Sequence, residues 1–225
     1  MKPIAHIHTD FKTKFGIPRQ AGIVPDTVGE IVFLPAYRNP DALRGLDGFS
    51  HLWLLWEFSE AKRESWSPTV RPPRLGGNQR LGVFATRSPF RPNNLGLSCV
   101  RFLGLEQTKE FGTVIHVAGA DLMDGTPIFD VKPYIPYADC YPEATGGFTD
   151  TAGDFLLEVD FPSHLLAQVP QAKQEALMGV LSHDPRPSYQ KDPTRTYGLT
   201  FGGVNVRFFV RENRLTVLEI TKENP

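Results

Sequence analysis

The chain has 225 residues, of which 40% are hydrophobic, 22% charged and 11% aromatic, and its formal net charge is −1. This is enough apolar material for one large or two small globular domains, whereas no apolar run is long enough to cross a membrane, and the charge excludes a protein that holds nucleic acid by bulk charge alone. The first ten residues lack the apolar region of a signal peptide, and Cys99 and Cys140 form no Cys-x-x-Cys pair, so we expect a reduced, cytoplasmic protein without a disulfide scaffold or structural zinc.

The N-terminal part of the chain is predicted to consist of short strands. The whole chain has 20 glycines and 20 prolines, more than average usage, which makes long helices scarce. Runs rich in β-branched and aromatic residues, bounded by Gly and Pro, predict strands at residues 3–8, 27–34, 51–58, 82–85, 97–105 and 113–118. Asp124 and Gly125 form a hairpin-type turn signal. The spacing of these strands indicates a β-barrel or a β-sandwich.

A second, smaller unit is predicted after the Gly- and Pro-rich stretch at residues 135–154. It begins with a strand at 155–161 and continues with a helix at 170–182. One face of that helix carries Ala172, Ala176, Leu177, Val180 and Leu181. Strands at 203–210 and 215–220 end the unit, and the first alternates strictly between apolar and polar residues. The expected fold is therefore mainly β, with an N-terminal β-barrel or β-sandwich domain at residues 1–140 and a small C-terminal α+β domain at 150–225.

Two segments suit an anionic partner. Residues 71–91 contain five arginines and no carboxylate. Guanidinium groups bind phosphate or carboxylate bidentately and stack on bases, so this segment fits an anionic ligand or RNA as well as it fits a solvated loop. Residues 184–198 alternate basic and aromatic side chains, as readers of single-stranded RNA do, although a solvated loop is nearly as good an interpretation.

Two further segments could hold a small ligand. The turn Pro18-Arg19-Gln20 could cradle one with its backbone groups. Asp121, Asp124 and Asp130 could bind a metal, act as a base, or accept hydrogen bonds from an adenine, ribose or amino group, but the lack of a His at ligand spacing makes a metal the weakest option. The chain has neither a G-x-G-x-x-G fingerprint nor a P-loop, so neither nucleotide site is supported.

Several motifs, taken in order, resemble the TrmO family of tRNA methyltransferases. They are the turn Pro18-Arg19-Gln20, residues 48–53 (GFSHLW), 71–77 (RPPRLGG), 85–93 (ATRSPFRPN) and the segment 121–134. The loop at 184–187 (DPRP) is similar to the C-terminal unit of the bacterial members, so the resemblance spans the chain. It implies a homodimeric enzyme that holds S-adenosylmethionine in a β-barrel instead of a Rossmann sheet. The implied reaction methylates N6 of N6-threonylcarbamoyladenosine, beside the anticodon of threonine tRNA.

The resemblance also implies the cofactor contacts, motif by motif. They are Pro18, Arg19, Gln20, Ser59, Glu60, Arg87, Leu97, Asp121, Leu122, Met123, Asp124, Gly125 and Thr126. The pair Ser59-Glu60 stands where the family has His-Gln, which puts its role in doubt unless the contact is made by the backbone.

The substrate's chemistry calls for a base. Its N6 belongs to a urea with a delocalised lone pair, so it attacks a sulfonium methyl poorly until its proton is removed. Asp121, Asp124, Asp130 and Tyr134 are candidates, with Asp130 or Tyr134 preferred, and Lys132 could hold the substrate's carboxylate, as could Arg87 or Arg91. The transfer needs no metal. From the two basic segments, RNA contacts are predicted for Arg71, Arg74, Arg91, Arg186, Tyr189, Lys191, Arg195 and Tyr197.

Two alternatives stay open. The chain could be a non-catalytic RNA-binding module, which would have no reason to bind S-adenosylmethionine. It could also be a methyltransferase for a small anionic metabolite, in which case deleting the residues after Phe155 would leave its activity intact.

Overall fold

Six antiparallel strands close into a barrel in the computed structural model, which describes residues 1–61, 65–72, 75, 79–150, 155–187 and 192–223. The strands of this part of the chain are β1 Ala5–Thr9, β2 Val28–Phe33, β3 His51–Glu57, β4 Thr69–Val70, β5 Leu81–Gly82, β6 Leu95–Thr108, β7 Gly112–Ala118 and β8 Thr126–Pro133. The barrel order is β1-β2-β7-β6-β3-β8, with β8 paired back to β1, while β4 and β5 form a separate small hairpin. The expected barrel is confirmed.

The inward face of the barrel follows the alternation of its strands. In β3, Leu52, Leu54 and Trp56 are buried and the residues between them are partly exposed. The Trp56 indole lies against Gly96 of β6 so closely that a Cβ at position 96 would collide with the ring. The glycine therefore makes room for the largest side chain of the barrel core.

The C-terminal unit is a four-stranded sheet covered by one long helix. Its elements, with the short helix that precedes them, are α1 Pro136–Asp139, β9 Glu158–Asp160, α2 Ser163–Leu166, α3 Gln171–Ser182, β10 Thr196–Phe201, β11 Val204–Arg211 and β12 Arg214–Lys222. The sheet order is β10-β11-β12-β9, with only the β12-β9 pair parallel. Four of the five apolar residues expected on one face of α3 are buried, and Ala172 is exposed. No helix of the described residues is long and apolar enough to cross a membrane.

The predicted strands differ from the structure at four places, one of which is the unpredicted two-residue strand β4. The strands β8 and β10 were not expected, because β8 contains Pro127 and Pro133 and β10 contains Gly198, residues that weaken a strand signal. The expected strand at 82–85 is wrong, since only Leu81–Gly82 pairs and a 3₁₀ turn follows at Val83–Ala85.

The long connection between β1 and β2 packs into the core of the C-terminal unit. Phe11 and Val24 are buried in the same apolar cluster as the side chains of α3, β10 and β11. The Phe11 ring meets Phe201 edge-on with 5.3 Å between centroids, and the Phe15 ring stacks on Tyr197 at 6.3 Å. The C-terminal unit therefore fixes the path of a loop that begins and ends in the barrel.

Two polar contacts and one glycine tighten this junction. Lys173 of α3 forms an ion pair with Asp10, and the Gly202 N–H donates to the Asp10 carbonyl at 3.2 Å. Gly16 has a φ of +85°, and a Cβ at this position would collide with the Leu199 side chain of β10. Only glycine combines this backbone conformation with so close an approach.

Replacing Gly16 by Ala is expected to destabilise the protein more than replacing Gly22, because both glycines have positive φ but only Gly16 faces a neighbour. We expect Gly22→Ala to cost about 1 to 2 kcal/mol for the left-handed backbone. Gly16→Ala adds about 1 to 3 kcal/mol of overpacking. Urea denaturation measures both free energies of unfolding.

The variant Leu199→Ala provides the matched background for this comparison. Removing the Leu199 methyl groups should make the additional cost of Gly16→Ala shrink toward that of Gly22→Ala, since the collision is then gone. Equal costs for Gly16→Ala in both backgrounds would show that the close contact is not what requires glycine.

Candidate functional site

Three connections lie at the same end of the barrel, which we call its mouth. They are residues 10–27 between β1 and β2, 58–94 between β3 and β6, and 119–125 between β7 and β8. Since every barrel pair is antiparallel, the ends of β1, β3 and β7 and the starts of β2, β6 and β8 meet at this end. With the exception of Leu97, which lies in β6, and Thr126, which begins β8, every predicted cofactor contact is on one of these connections.

A chain of hydrogen bonds joins the three connections to the barrel interior. Arg87 donates through Nη1 to the Gln20 side-chain oxygen. Asp121 accepts a 2.6 Å hydrogen bond from Ser98 Oγ and another from the Ala21 N–H. Trp56 completes the chain, because its Nε1 donates to Ser98 Oγ at 2.9 Å. We call Gln20, Arg87, Asp121, Ser98 and Trp56 the polar chain.

The Asp121 carboxylate is held in an unusual environment. Burial raises its pKa, while the hydrogen bonds from Ser98 and Ala21 and the charge of Arg87 act in the opposite direction. A buried carboxylate is tolerated only when its oxygens find donors. At the mouth of the barrel it can accept hydrogen bonds from an ammonium or hydroxyl group, and the neighbouring Arg87 can pair with a carboxylate.

Asp124 has a structural role in the same end of the barrel. Its carboxylate accepts hydrogen bonds from Lys12 Nζ at 2.7 Å, from the Thr9 N–H at 3.1 Å and from His8 Nδ1 at 3.2 Å. Desolvation opposes its ionisation, but these donors outweigh that effect and lower its pKa. Asp124 thus attaches the 119–125 connection to β1 and the residues after it.

The remaining residues of this segment differ in what they can offer a ligand. Leu122 and Thr126 are buried, so their side chains belong to the barrel interior, while Met123 is partly exposed and Gly125 is exposed. Thr126 Oγ1 donates to the Met123 carbonyl at 2.6 Å. The Gly125 N–H is already bonded to the Ile7 carbonyl.

The other two connections approach each other through Lys14. Its Nζ donates at 2.5 Å to the carbonyl of Glu60, which lies in the 3₁₀ turn Ser59–Ala61 after β3. Pro18 is buried, whereas Arg19 is exposed. The Arg19 carbonyl accepts a hydrogen bond from the side-chain amide Nε2 of Gln20. The structure therefore brings the turn at 18–20, the pair Ser59-Glu60, Arg87 and Asp121 to one region.

Leu97 and Asp130 share the outer face of the barrel. Cross-strand pairing sets Leu97 beside Leu55 and Leu55 beside Asp130, in one row over β6, β3 and β8. Leu97 is 52% exposed. Asp130 Oδ2 forms an ion pair with Lys132 Nζ at 2.9 Å, and both side chains are accessible. The candidate base and the residue predicted to hold the substrate's carboxylate are thus neighbours.

Tyr134 lies at the other end of the barrel. Its N–H donates to the carbonyl of His51 at the start of β3, and its ring lies against Trp53 with 5.9 Å between centroids. At about 3.3 Å per residue, β8 separates it from Thr126 by about 26 Å. Its pKa is raised, by desolvation first and then by Cys140, so the phenol is protonated at neutral pH. Within one chain the structure does not bring Tyr134 to the polar chain.

The predicted RNA contacts fall into three groups. Arg71 and Arg195 are exposed, whereas Arg74, Tyr189 and Lys191 lie outside the described residues. Arg91 is partly buried and donates to the Thr86 carbonyl at 2.7 Å.

Two of these predictions are corrected by the structure. Tyr197 is only 5% exposed and its ring stacks on Phe15 and Phe208, so it is a core residue and not a platform for a base. The Arg186 guanidinium is bound bidentately by Asp184, at 2.8 and 2.9 Å, and its side chain is 11% exposed. The hydrogen bonds of this guanidinium are therefore made within its own loop.

Sequence reasoning missed Ser98, the residue that links Asp121 to Trp56. The available signal was a hydroxyl between Gly96 and Val100, at an inward position of an otherwise apolar strand face.

No three His, Cys, Asp or Glu side chains of the described ranges are grouped so that they could hold a metal ion.

Comparisons with known proteins match both parts of the chain to the same family. The family model of the tRNA-methyltransferase O N-terminal domain matches residues 6–140, and that of the TrmO C-terminal domain matches residues 155–223. A tRNA (adenine(37)-N6)-methyltransferase of Escherichia coli is 39% identical over 217 residues, which are 93% of this chain and 92% of that protein. A Pseudomonas aeruginosa protein provisionally described as an S-adenosylmethionine-dependent methyltransferase is 39% identical over 98% of this chain and 96% of its own length. The crystal structure of TrmO from P. aeruginosa superposes with a TM-score of 0.79 at 34% identity and covers 98% of this chain and 95% of that one.

Replacing Asp124 by Asn should make the protein less stable by about 1 kcal/mol at pH 7, because the ion pair with Lys12 is lost. The pKa of Asp124 is lowered by folding, so its contribution is present above the ordinary value of 3.8 and disappears as the pH falls through the folded-state pKa. Unfolding free energies of both proteins from pH 7 to pH 3 should therefore converge at low pH.

Asp41→Asn is the matched control for this titration. Asp41 also forms an ion pair, with Arg44, but both side chains are mostly exposed, so we expect little change at any pH. A stability gap for Asp124→Asn that stays constant down to pH 3 would contradict the ionic role of Asp124.

Proposed function

The chain belongs to the TrmO family and is an S-adenosylmethionine-dependent tRNA (adenine37-N6)-methyltransferase, and we propose that its substrate is N6-threonylcarbamoyladenosine beside the anticodon of threonine tRNA. The observation that carries this proposal is the polar chain at the mouth of the barrel. It joins the turn at 18–20, Arg87 and Asp121, which come from three separate family motifs.

The residues at this mouth fit S-adenosylmethionine. Asp121 offers a buried carboxylate to an ammonium or hydroxyl group, and Arg87 offers a guanidinium to a carboxylate. Leu97, on the outer face near the start of β6, offers an exposed apolar surface. The cofactor, when bound, supplies a methyl group on a positively charged sulfur. Gln20 and Ser98 keep Arg87 and Asp121 in place, so that the binding groups are oriented before the ligand arrives.

Asp130 and Lys132 are the residues that we assign to the substrate. Removal of the N6 proton leaves the electron pair of the N–H bond on the nitrogen, which can then attack the methyl group, and the Asp130 carboxylate can accept that proton. Lys132, 2.9 Å from Asp130, can bind the threonyl carboxylate of the same nucleoside. The two charges thus serve two groups that the modified nucleoside presents together.

We further propose that the enzyme is a cytoplasmic homodimer in which the C-terminal domain at 150–225 recognises tRNA. The outer face of β3 and β6 carries Trp53, Leu55, Leu97 and Cys99 side by side. The barrel interior is packed with its own side chains, so this outer apolar face is not part of the core. Burial of the face against a second copy of the chain would remove it from water. Both cysteines are free thiols, in keeping with a reducing compartment.

The methyl acceptor can be identified with two tRNA pools, one carrying the threonylcarbamoyl group and one lacking it. With labelled S-adenosylmethionine, we expect label only in the first pool, at N6-methyl-N6-threonylcarbamoyladenosine, as determined by mass spectrometry of nucleosides. Equal labelling of both pools would contradict the proposed substrate, and cofactor binding without labelling of either would favour a small-molecule acceptor.

Replacing Asp130 by Asn should lower kcat by about 100-fold, which is typical for the loss of a general base, and leave the affinity for S-adenosylmethionine unchanged. Lys132→Met should instead raise the KM for tRNA that carries the threonylcarbamoyl group. Steady-state kinetics and calorimetry measure these quantities, and a normal kcat in Asp130→Asn would remove this residue from the proton transfer.

A further inference from the structure

Two large aromatic rings lie exposed at the base of the β4-β5 hairpin. Trp66 precedes β4 and is 50% exposed, and Phe84 follows β5 and is 72% exposed. Their ring centroids are 6.0 Å apart and their planes differ by 34°. Because β4 and β5 are antiparallel, the two rings come from the two sides of one hairpin and form a single surface.

The surroundings of this pair are positively charged. Arg91 places its guanidinium carbon 6.0 Å from the Phe84 centroid, and the hydrogen bonds of its Nη1 to the Thr86 and Val83 carbonyls hold it there. Arg71 and Arg80 are exposed on the same hairpin and its connection. The segments 65–72 and 79–94 contain no carboxylate. The rings therefore face an environment that attracts polyanions.

The pair lies on the same connection as Arg87 of the polar chain. Phe84 is three residues from Arg87, which is bonded to Gln20, and both rings belong to the connection between β3 and β6. A small cavity beside Trp66 is lined by Phe90, Arg91 and Asn94. A nucleoside whose N6 meets a cofactor bound at the polar chain would bring its neighbours in the RNA strand toward these rings.

We propose that Trp66 and Phe84 form a stacking platform for the anticodon-loop nucleotides that flank the methylated adenosine. The inference rests on the proposed function, since it takes its ligand from the tRNA substrate. Single-stranded loops are recognised by stacking unpaired bases on aromatic side chains, with arginine close by. Holding the flanking bases keeps the target adenosine unstacked, so that its N6 can reach Asp130 and the cofactor.

The test compares Trp66→Ala and Phe84→Ala with the wild-type enzyme. The ligand is full-length threonine tRNA that carries the threonylcarbamoyl group. Each variant should bind this tRNA about 5- to 100-fold more weakly, the range found when a stacking aromatic is removed. The KM for tRNA should rise, while the affinity for S-adenosylmethionine stays the same. Trp66→Phe and Phe84→Tyr keep a flat ring and should restore binding.

The control is Tyr137→Ala. Tyr137 is 92% exposed but lies in α1, beyond the end of β8 and therefore at the opposite end of the barrel. The substitution Tyr137→Ala should leave the affinity for tRNA unchanged, so an equal loss of tRNA affinity in this variant would overturn the platform. Unchanged tRNA affinity in both Trp66→Ala and Phe84→Ala would do the same.

An exposed aromatic surface could instead bind a second copy of the chain, and sedimentation of each variant tests this. An unchanged oligomeric mass supports the platform, and dissociation of Trp66→Ala or Phe84→Ala into monomers would assign the rings to a protein interface instead. Failure of the wild type to methylate the tRNA would refute the proposed function, whereas each outcome that overturns the platform is a comparison of variants with a wild type that does methylate it.

Discussion

The packing of the β1-β2 connection into the C-terminal core is the interaction on which the site depends. Phe11, Phe15 and Val24 contribute side chains to the hydrophobic cluster of α3, β10 and β11, although they lie in a loop of the barrel. Burying such side chains stabilises the structure by about 1.5 to 3 kcal/mol each, far more than any surface contact of a loop. The turn at 18–20 follows directly, so its position is set by both units of the chain.

The polar chain is built on this support. A carboxylate as buried as Asp121 needs donors, and it receives them from Ser98 inside the barrel and from Ala21 next to the turn. If the turn moved, Asp121 would lose the Ala21 N–H and Arg87 would lose Gln20. Because we propose that the cofactor binds at the polar chain, we expect its binding to be linked to the packing of the C-terminal unit, although no residue of that unit was expected to contact the cofactor.

The sequence was informative where a pattern is local. The alternation in β11 and the runs bounded by Gly and Pro predicted the strands and the second unit, and the motifs that resemble TrmO implied the barrel and the chemistry. Strand spacing alone left a barrel or a sandwich open, because proline hides β8, the strand whose pairing with β1 closes the barrel. Tyr197 was misjudged because a tyrosine in a basic segment suits both RNA and a core, and only the fold shows Phe15 against its ring.

The affinity of Leu199→Ala for S-adenosylmethionine tests the link between the two units most directly. Leu199 is fully buried in the C-terminal unit, packs against Gly16 and lies outside the polar chain. If its packing positions the turn at 18–20, calorimetry on the folded variant should show about tenfold weaker cofactor binding, which corresponds to about 1.4 kcal/mol. Wild-type affinity in a variant whose circular dichroism shows a native fold would contradict the account.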